Sequence, residues 1–266
     1  MSYERISLDY EGTGGTIAVL KFNHPEVMNA VGSRMLQDLQ AGVREVRDRG
    51  TEVRCLLITG EGRGFCAGAN LADEDRARER ETQGAGDGLR TGYHPLLVGL
   101  RDLEVPIVTA VNGAAAGVGM SFAMMGDIVC AGRSAFFLQA FARIGLVPDG
   151  GATFVLPRLV GWGRALELSM LAERLPAEKA LEWGLVNRVF DDAQLVPEAM
   201  KIAEKLAAGP RSLALIRRAY WQTWSNSYES QLDLEAQLQN SAGRSADFKE
   251  GVKAFLEKRE ATFTGA

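Results

Sequence analysis

Two short runs of small residues mark places where the main chain itself could do chemistry. The first is Gly64-Phe65-Cys66-Ala67-Gly68-Ala69-Asn70-Leu71, inside a glycine-rich stretch that begins at Gly60. The second is Asn112-Gly113-Ala114-Ala115-Ala116-Gly117-Val118-Gly119. Each follows a continuous apolar segment, residues 53–59 and 105–111, of the kind buried on both faces of a sheet. Small residues at a strand-to-helix turn leave main-chain N–H groups unpaired and within reach of a ligand. Two such donors aimed at one oxygen would stabilise negative charge developing there, and removing one such donor costs about 2.7–4 kcal/mol. Taken singly, either run reads first as a tight turn made for close packing. Neither has the lysine of a phosphate-binding loop nor the GxGxxG spacing of a dinucleotide site.

Few side chains compete for a chemical role. Asp149 stands in Leu146-Val147-Pro148-Asp149-Gly150-Gly151. It reads either as a proton carrier beside an apolar pocket of Met120, Phe137 and Phe141, which would raise its pKa, or as the cap of a helix starting near Gly150. The only histidines are His24 and His94, so any histidine mechanism must use one of them. His24 precedes Pro25 and reads as a loop residue. His94, in Tyr93-His94-Pro95, reads as a wall or surface residue. The cysteines, Cys55, Cys66 and Cys130, are odd in number and form no C-x-x-C pair, which points to reduced thiols without a zinc site. Cys66 lies in the first glycine turn, where a packed small residue is favoured over a reactive thiol.

The rest of the chain must position these groups. With 266 residues, 46% hydrophobic and 24% charged, it can bury a substantial core. A net charge of −4 argues against a nucleic-acid partner. No run approaches the roughly 20 apolar residues of a membrane span, and the first residues lack a secretory leader pattern. A cytoplasmic protein with no membrane partner is the expectation. Alternation over residues 5–23 predicts a β-hairpin turning at Thr13-Gly14-Gly15. Ser33 is the expected cap of a helix carrying Met35, Leu36, Leu39, Val43 and Val46 and stopped by Gly50. Residues 73–81 read as a charged helix whose arginines could meet an anionic ligand, and residues 84–88 as a mobile glycine loop, a candidate lid. Strands are expected at 127–131, 135–138 and within 185–190, and helices dominate beyond 195. The layout is α/β with right-handed crossovers.

The two small-residue runs together resemble the crotonase, or enoyl-CoA hydratase/isomerase, superfamily. The first is similar to its Phe-(Cys/Ser)-Ala-Gly-Ala-Asp-(Leu/Ile) segment. Pro106-Ile107-Val108-Thr109-Ala110-Val111-Asn112-Gly113-Ala114-Ala115-Ala116-Gly117 is similar to its second turn. Gly145-Leu146-Val147-Pro148-Asp149-Gly150-Gly151 and the closing Glu250-Gly251-Val252-Lys253-Ala254-Phe255-Leu256-Glu257-Lys258-Arg259 follow in family order. The resemblance implies a repeated ββα spiral core over residues 1–195, of the crotonase (ClpP-like) fold. It implies a C-terminal helical region over 196–266 that builds homotrimers or homohexamers. It also implies an acyl-CoA thioester as substrate, with no further cofactor and no metal. On this resemblance the oxyanion-hole N–H groups fall at Ala69 and Val118. The segment 28–30, with Met28 and Ala30, together with Ala67, Gly68, Asn70, Leu71 and Gly117, would line the CoA channel.

The resemblance also points to a reaction. Hydratases of the family use two glutamates to handle water, and the matching positions here are Ser121 and Phe141. Serine is a poor general base near neutral pH and phenylalanine is none. Asp149 remains, at a position where isomerising and dehalogenating members carry a working aspartate. The resemblance is strongest to members that isomerise a double bond or a phenylacetyl-derived ring epoxide. The expectation is therefore an acyl-CoA isomerase using Asp149, with Ala69 and Val118 holding the enolate. The alternatives are an enoyl-CoA hydratase, or a hydrolase or dehalogenase in which Asp149 attacks and His94 activates water.

Overall fold

Alternating side chains produce the opening hairpin. Ile6–Glu11 (β1) and Ile17–Phe22 (β2) pair antiparallel, with Leu8 opposite Leu20, around a turn at Thr13–Gly15. Strand β2 is buried on both faces, and its second edge pairs in parallel with Cys55–Gly60 (β3). Between them Ser33–Asp48 (α1) lays its stripe of Met35, Leu36, Leu39, Val43 and Val46 on the sheet. The computed structural model describes residues 3–266, except the side chains of Arg76, Glu79, Arg80, Thr82 and Gln83.

From β3 onward the chain repeats one motif. A strand of a large sheet is followed by a short strand of a second sheet, and then by a helix or turn. Gly64–Cys66 (β4) follows β3; Glu74–Gln83 (α2), Ala85–Gly88 (α3) and His94–Arg101 (α4) lead back. Ile107–Val111 (β5), Ala114–Ala116 (β6) and Val118–Ala123 (α5) form the second turn of the spiral. Ile128–Gly132 (β7) and Phe136–Leu138 (β8) form the third. Ala152–Val160 (α6), Trp162–Leu171 (α7), Leu175–Pro176 (β9), Ala177–Glu182 (α8) and Arg188–Phe190 (β10) follow. Four helices close the chain: Leu195–Ala207 (α9), Ser212–Thr223 (α10), Tyr228–Gly243 (α11) and Ala246–Glu257 (α12). The large sheet runs β1-β2-β3-β5-β7-β10 and the small one β4-β6-β8-β9. The core strands β3, β5 and β7 are mutually parallel, so all of them end on the same side.

Both faces of the large sheet are covered. One packs on α1 and the interior of the spiral. The other takes α9, whose Leu195, Ala199, Ala203 and Ala207 repeat every fourth residue and face Val19, Leu57, Val108 and Cys130. Small residues on that face let the helix backbone come close to the strands. Helix α9 thus belongs to the sheet's second core, and it begins at the residue where the sequence divides core from C-terminal region. Helix α10 is fixed by Arg217, 6% exposed, which pairs with Asp127 at 2.8 Å and also donates to the carbonyls of Leu100, Arg101 and Leu103.

Two local expectations are corrected. Ser33 is not a cap: Gly32 holds that position, and the Asp73 carboxylate, forty residues on, accepts the Ser33 N–H at 3.1 Å and its hydroxyl at 3.0 Å. Residues 84–88 are not an open loop, since Ala85–Gly88 is helical and runs into a π-helical turn at Leu89–Tyr93. A helical turn closes their main-chain hydrogen bonds locally. Of the charged run at 76–81, the side chains of Arg76, Glu79 and Arg80 lie outside the described residues.

Candidate active site

The parallel strands β3 and β5 deliver their carboxyl ends to one place, and two asparagines, Asn29 buried and Asn112 half-buried, fix the turn that follows β3. Asn29 is fully buried with φ +57, a left-handed conformation that asparagine tolerates better than most residues. Its amide donates to the carbonyls of Glu61 (2.9 Å), Gly64 (2.8 Å) and Phe65 (3.2 Å), and its oxygen accepts the His24 N–H at 2.8 Å. Asn112, at the end of β5, accepts the Gly60 N–H at 3.1 Å and donates to the Gly62 carbonyl at 2.9 Å. Each asparagine replaces sheet hydrogen bonds at a place where the ladder has ended. Asn29 belongs to the segment expected to line the channel, but its bracing role was missed. An asparagine just after a Pro-initiated turn is the signal that could have shown it.

The first turn then presents a single N–H. Ala69 forms an isolated parallel bridge with Val31. The bonds of that bridge come from its neighbours: Val31 donates to the Gly68 carbonyl at 2.7 Å, and Asn70 donates to the Val31 carbonyl at 3.0 Å. When the flanking residues make the ladder bonds, the residue between them turns its own N–H to the opposite side. Among the described residues the Ala69 N–H has no protein acceptor. Asp73 closes the other end of the turn through Ser33. Ala67 and Ala69 are exposed, as is Leu71 at 54%.

The second turn meets the first in van der Waals contact. Gly68 has φ +98, and a methyl group there would lie 2.8 Å from the Ala116 carbonyl oxygen and 3.7 Å from Gly117 Cα. Gly117 has φ +53 and stands at the cap of α5. Only glycine satisfies both the backbone angle and the spacing at Gly68. Gly117 donates to Leu138 and Met120 donates to Gly117, so Val118 between them begins the helix with no protein acceptor for its N–H among the described residues. Ala69 and Val118 thus each follow a glycine of the touching pair.

Asp149 is bound to the same place through α5. The Ser121 hydroxyl donates to the Asp149 main-chain carbonyl at 3.0 Å. A methyl group on the next residue, Gly150, would lie 3.1 Å from Val118 Cγ2. Helix α6 starts at Ala152 with Gly151 at its cap, so Asp149 stands outside the cap position. Its Oδ1 atom is shielded from solvent. Phe141 is buried, and its ring edge is 3.8 Å from where a Gly117 methyl would stand. Met120 and Phe137 are fully buried. Ser121 and Phe141, where carboxylates were the alternative, are thus a serine held by a carbonyl and an aromatic ring over the turn.

The remaining candidates take other places. Met28 has φ +56 and its sulfur accepts from Arg63 Nε at 3.0 Å; Ala30 is buried beside it. Asn70 braces its own turn by accepting the Ala72 N–H at 3.1 Å. His94 is exposed at the start of α4, whereas its neighbour Tyr93 is buried and reaches the Val31 carbonyl. Burial pushes the Cys66 thiol up to about 12, so it stays protonated and packs as a small residue. No cluster of metal-binding side chains exists among the described residues, and no helix among them is long and apolar enough to cross a membrane. A cavity of about 640 Å³ lies elsewhere, at the amino ends of β3 and β5, against α10.

Comparison with known proteins follows the same lines. Residues 12–266 match the family model described as enoyl-CoA hydratase/isomerase. A 1,2-epoxyphenylacetyl-CoA isomerase of Escherichia coli is 44% identical over 94% of this chain and 95% of its own. A probable enoyl-CoA hydratase of Rhodobacter capsulatus is 42% identical over the full length of both. The crystal structure of a putative enoyl-CoA hydratase/isomerase from Mycobacterium abscessus superposes with a TM-score of 0.90 at 31% identity, covering 97% of this chain and 99% of that one.

Proposed function

The chain belongs to the enoyl-CoA hydratase/isomerase family, and within it we propose that this protein is an acyl-CoA isomerase. The observation that carries this reading is what surrounds the two free N–H groups. Where a water-adding enzyme needs two carboxylates, Ser121 gives its proton to a carbonyl and Phe141 lies over Gly117. Asp149 is the carboxylate tethered to the same helix turn.

The thioester carbonyl accepts from the Ala69 and Val118 N–H groups, which lowers the acidity barrier at the neighbouring carbon. The Asp149 carboxylate takes a proton from carbon 2 of a 3-enoyl thioester. Charge moves to the carbonyl oxygen, where the two donors hold it. The resulting carboxylic acid returns the proton at carbon 4, and the double bond moves to the 2,3 position. One residue carries the proton both ways, so no water is consumed. A ring-epoxide thioester is the second candidate substrate, supported by the relative that isomerises 1,2-epoxyphenylacetyl-CoA. The buried rings of Phe137 and Phe141 suit such a ring.

We also propose that the working unit is a cytoplasmic homotrimer or homohexamer. Trp162 (72% exposed), Met170 (69%), Phe255 (82%) and Leu256 (74%) leave large apolar areas for other copies to cover. Sedimentation as a monomer would remove that assignment.

The test is a substrate panel: 3-enoyl, ring-epoxide and 2-enoyl CoA thioesters with the wild type and Asp149→Asn. Isomerisation should exceed hydration of the 2-enoyl substrate, and Asp149→Asn should lower it roughly 10²–10⁴-fold, the range for losing an acid/base group. Rapid hydration of crotonyl-CoA would favour the hydratase reading instead. Unchanged isomerisation in the variant would take Asp149 out of the mechanism.

A further inference from the structure

The cavity of about 640 Å³ has a composition unlike the rest of this acidic chain. Six arginines line it, Arg47, Arg54, Arg101, Arg211, Arg217 and Arg218, against two acids, Asp102 and Glu104. Four of the six are engaged. Arg217 is paired with Asp127, and Arg54 donates to the carbonyls of Phe263 (3.1 Å) and Gly209 (2.5 Å). Arg47 and Arg101 lean on their sequence neighbours Asp48 and Asp102. Arg211 and Arg218 have no carboxylate within ion-pair distance among the described residues. They stand at the mouth, and buried Val53, Leu103 and Val105 form the floor.

Helix α10 explains why these groups share one wall. Residues 211, 214, 215, 218, 221 and 222 repeat at three- and four-residue spacing, so Arg211, Arg218 and Trp221 face the same side. Arg211 and Arg218 are two turns apart, roughly 10 Å along the axis. Arginine side chains are long enough to converge on one head group from there, and guanidinium groups match phosphate oxygens in pairs. Trp221 adds an aromatic surface at the same wall. The volume lies in the range of about 300–1,000 Å³ occupied by small-molecule sites.

We infer that this cavity is a second binding site, remote from the glycine turns, for a phosphate-bearing ligand with an aromatic body, of the nucleoside-phosphate class. The phosphates bind Arg211 and Arg218, and the base lies against Trp221 and the apolar floor. This chemistry is carried both by a free nucleotide and by the nucleotide end of a CoA molecule. Calorimetric titration of the full chain with ADP, CoA and inorganic phosphate separates the sources. The comparison variant is Arg211→Ala/Arg218→Ala. It leaves the glycine turns untouched and keeps the Arg211 N–H that Asp247 accepts at 2.8 Å, so its basal isomerase turnover should match the wild type.

Saturable ADP binding that weakens about tenfold or more in the double variant, as expected for losing two charge-assisted contacts, would support a free-nucleotide site. Two CoA molecules per chain in the wild type and one in the variant would support the CoA source. Trp221→Phe should remove the fluorescence change on binding in either case. Inorganic phosphate binding as tightly as ADP would overturn the proposal, because the cavity would then sense charge alone. So would affinities that the arginine substitutions do not change, or no binding of ADP or CoA at this locus at millimolar concentration.

Discussion

The two ends of the large sheet are built on opposite principles. At the carboxyl ends of β3 and β5, small residues bring two main-chain turns into contact, and the Ala69 and Val118 N–H groups there have no protein acceptor among the described residues. At the amino ends, long charged side chains dominate. Arg217 is buried against Asp127, whose Oδ2 also accepts the Ile107 N–H at 2.7 Å. The first end exposes backbone and hides its supports; the second exposes charge and buries its anchor. The difference teaches that the glycine-turn end is held by hydrogen bonds from asparagine amides and to the Asp73 carboxylate, while the packing end depends on a desolvated ion pair.

Four perturbations would break or sharpen this contrast. Removing the anchor at the amino ends should have the largest effect. Arg217→Ala leaves Asp127 buried, where desolvation already pushes its carboxyl up despite the neighbouring guanidinium. A loss of about 3–5 kcal/mol is expected for such a broken pair, read by urea unfolding, with kcat per folded chain unchanged. Gly68→Ala should do the reverse. The added methyl group meets the Ala116 carbonyl, so kcat/KM falls about 10²-fold while CoA still binds. If activity survived, the two turns would not need their close approach.

Asp73→Ala should act more mildly. It removes the carboxylate that caps α1 and closes the Ala69 turn, at about 1 kcal/mol of stability. A larger fall in kcat than in substrate affinity, partly recovered by Asp73→Asn, would show that the carboxylate positions the turn. The smallest effect concerns the C-terminal tail. Burial works against the Asp247 carboxylate, but the N–H groups of Arg211, Thr264 and Gly265 hold it below its ordinary value. A lowered folded pKa gives stability that is complete above the unfolded value near 3.9 and is lost as pH falls through the folded one. Unfolding midpoints between pH 6 and 3 should therefore drop less steeply in Asp247→Asn than in the wild type.

Local sequence carried much of this architecture. The alternation over residues 5–23, the stripe on α1 and the two apolar runs before the glycine turns became the elements they resemble, because each signal depends on neighbours a few residues apart. The turns themselves were legible as glycines with a chemical reason to be small. What could not be read were long-range partnerships. Asp73 reaches back forty residues to cap α1, Arg217 reaches ninety to Asp127, and Asn29 braces a turn thirty-five residues away. Such bonds leave no periodicity. The glycine run at 84–88 was misread for the opposite reason, since composition suggested freedom where neighbouring helix closes the backbone.

The donors at Ala69 and Val118 belong to peptide units, so no point substitution can delete them without proline or a rebuilt turn. Side chains around them, Ser121, Phe141 and Asp149 among them, can therefore be exchanged one at a time without removing either N–H.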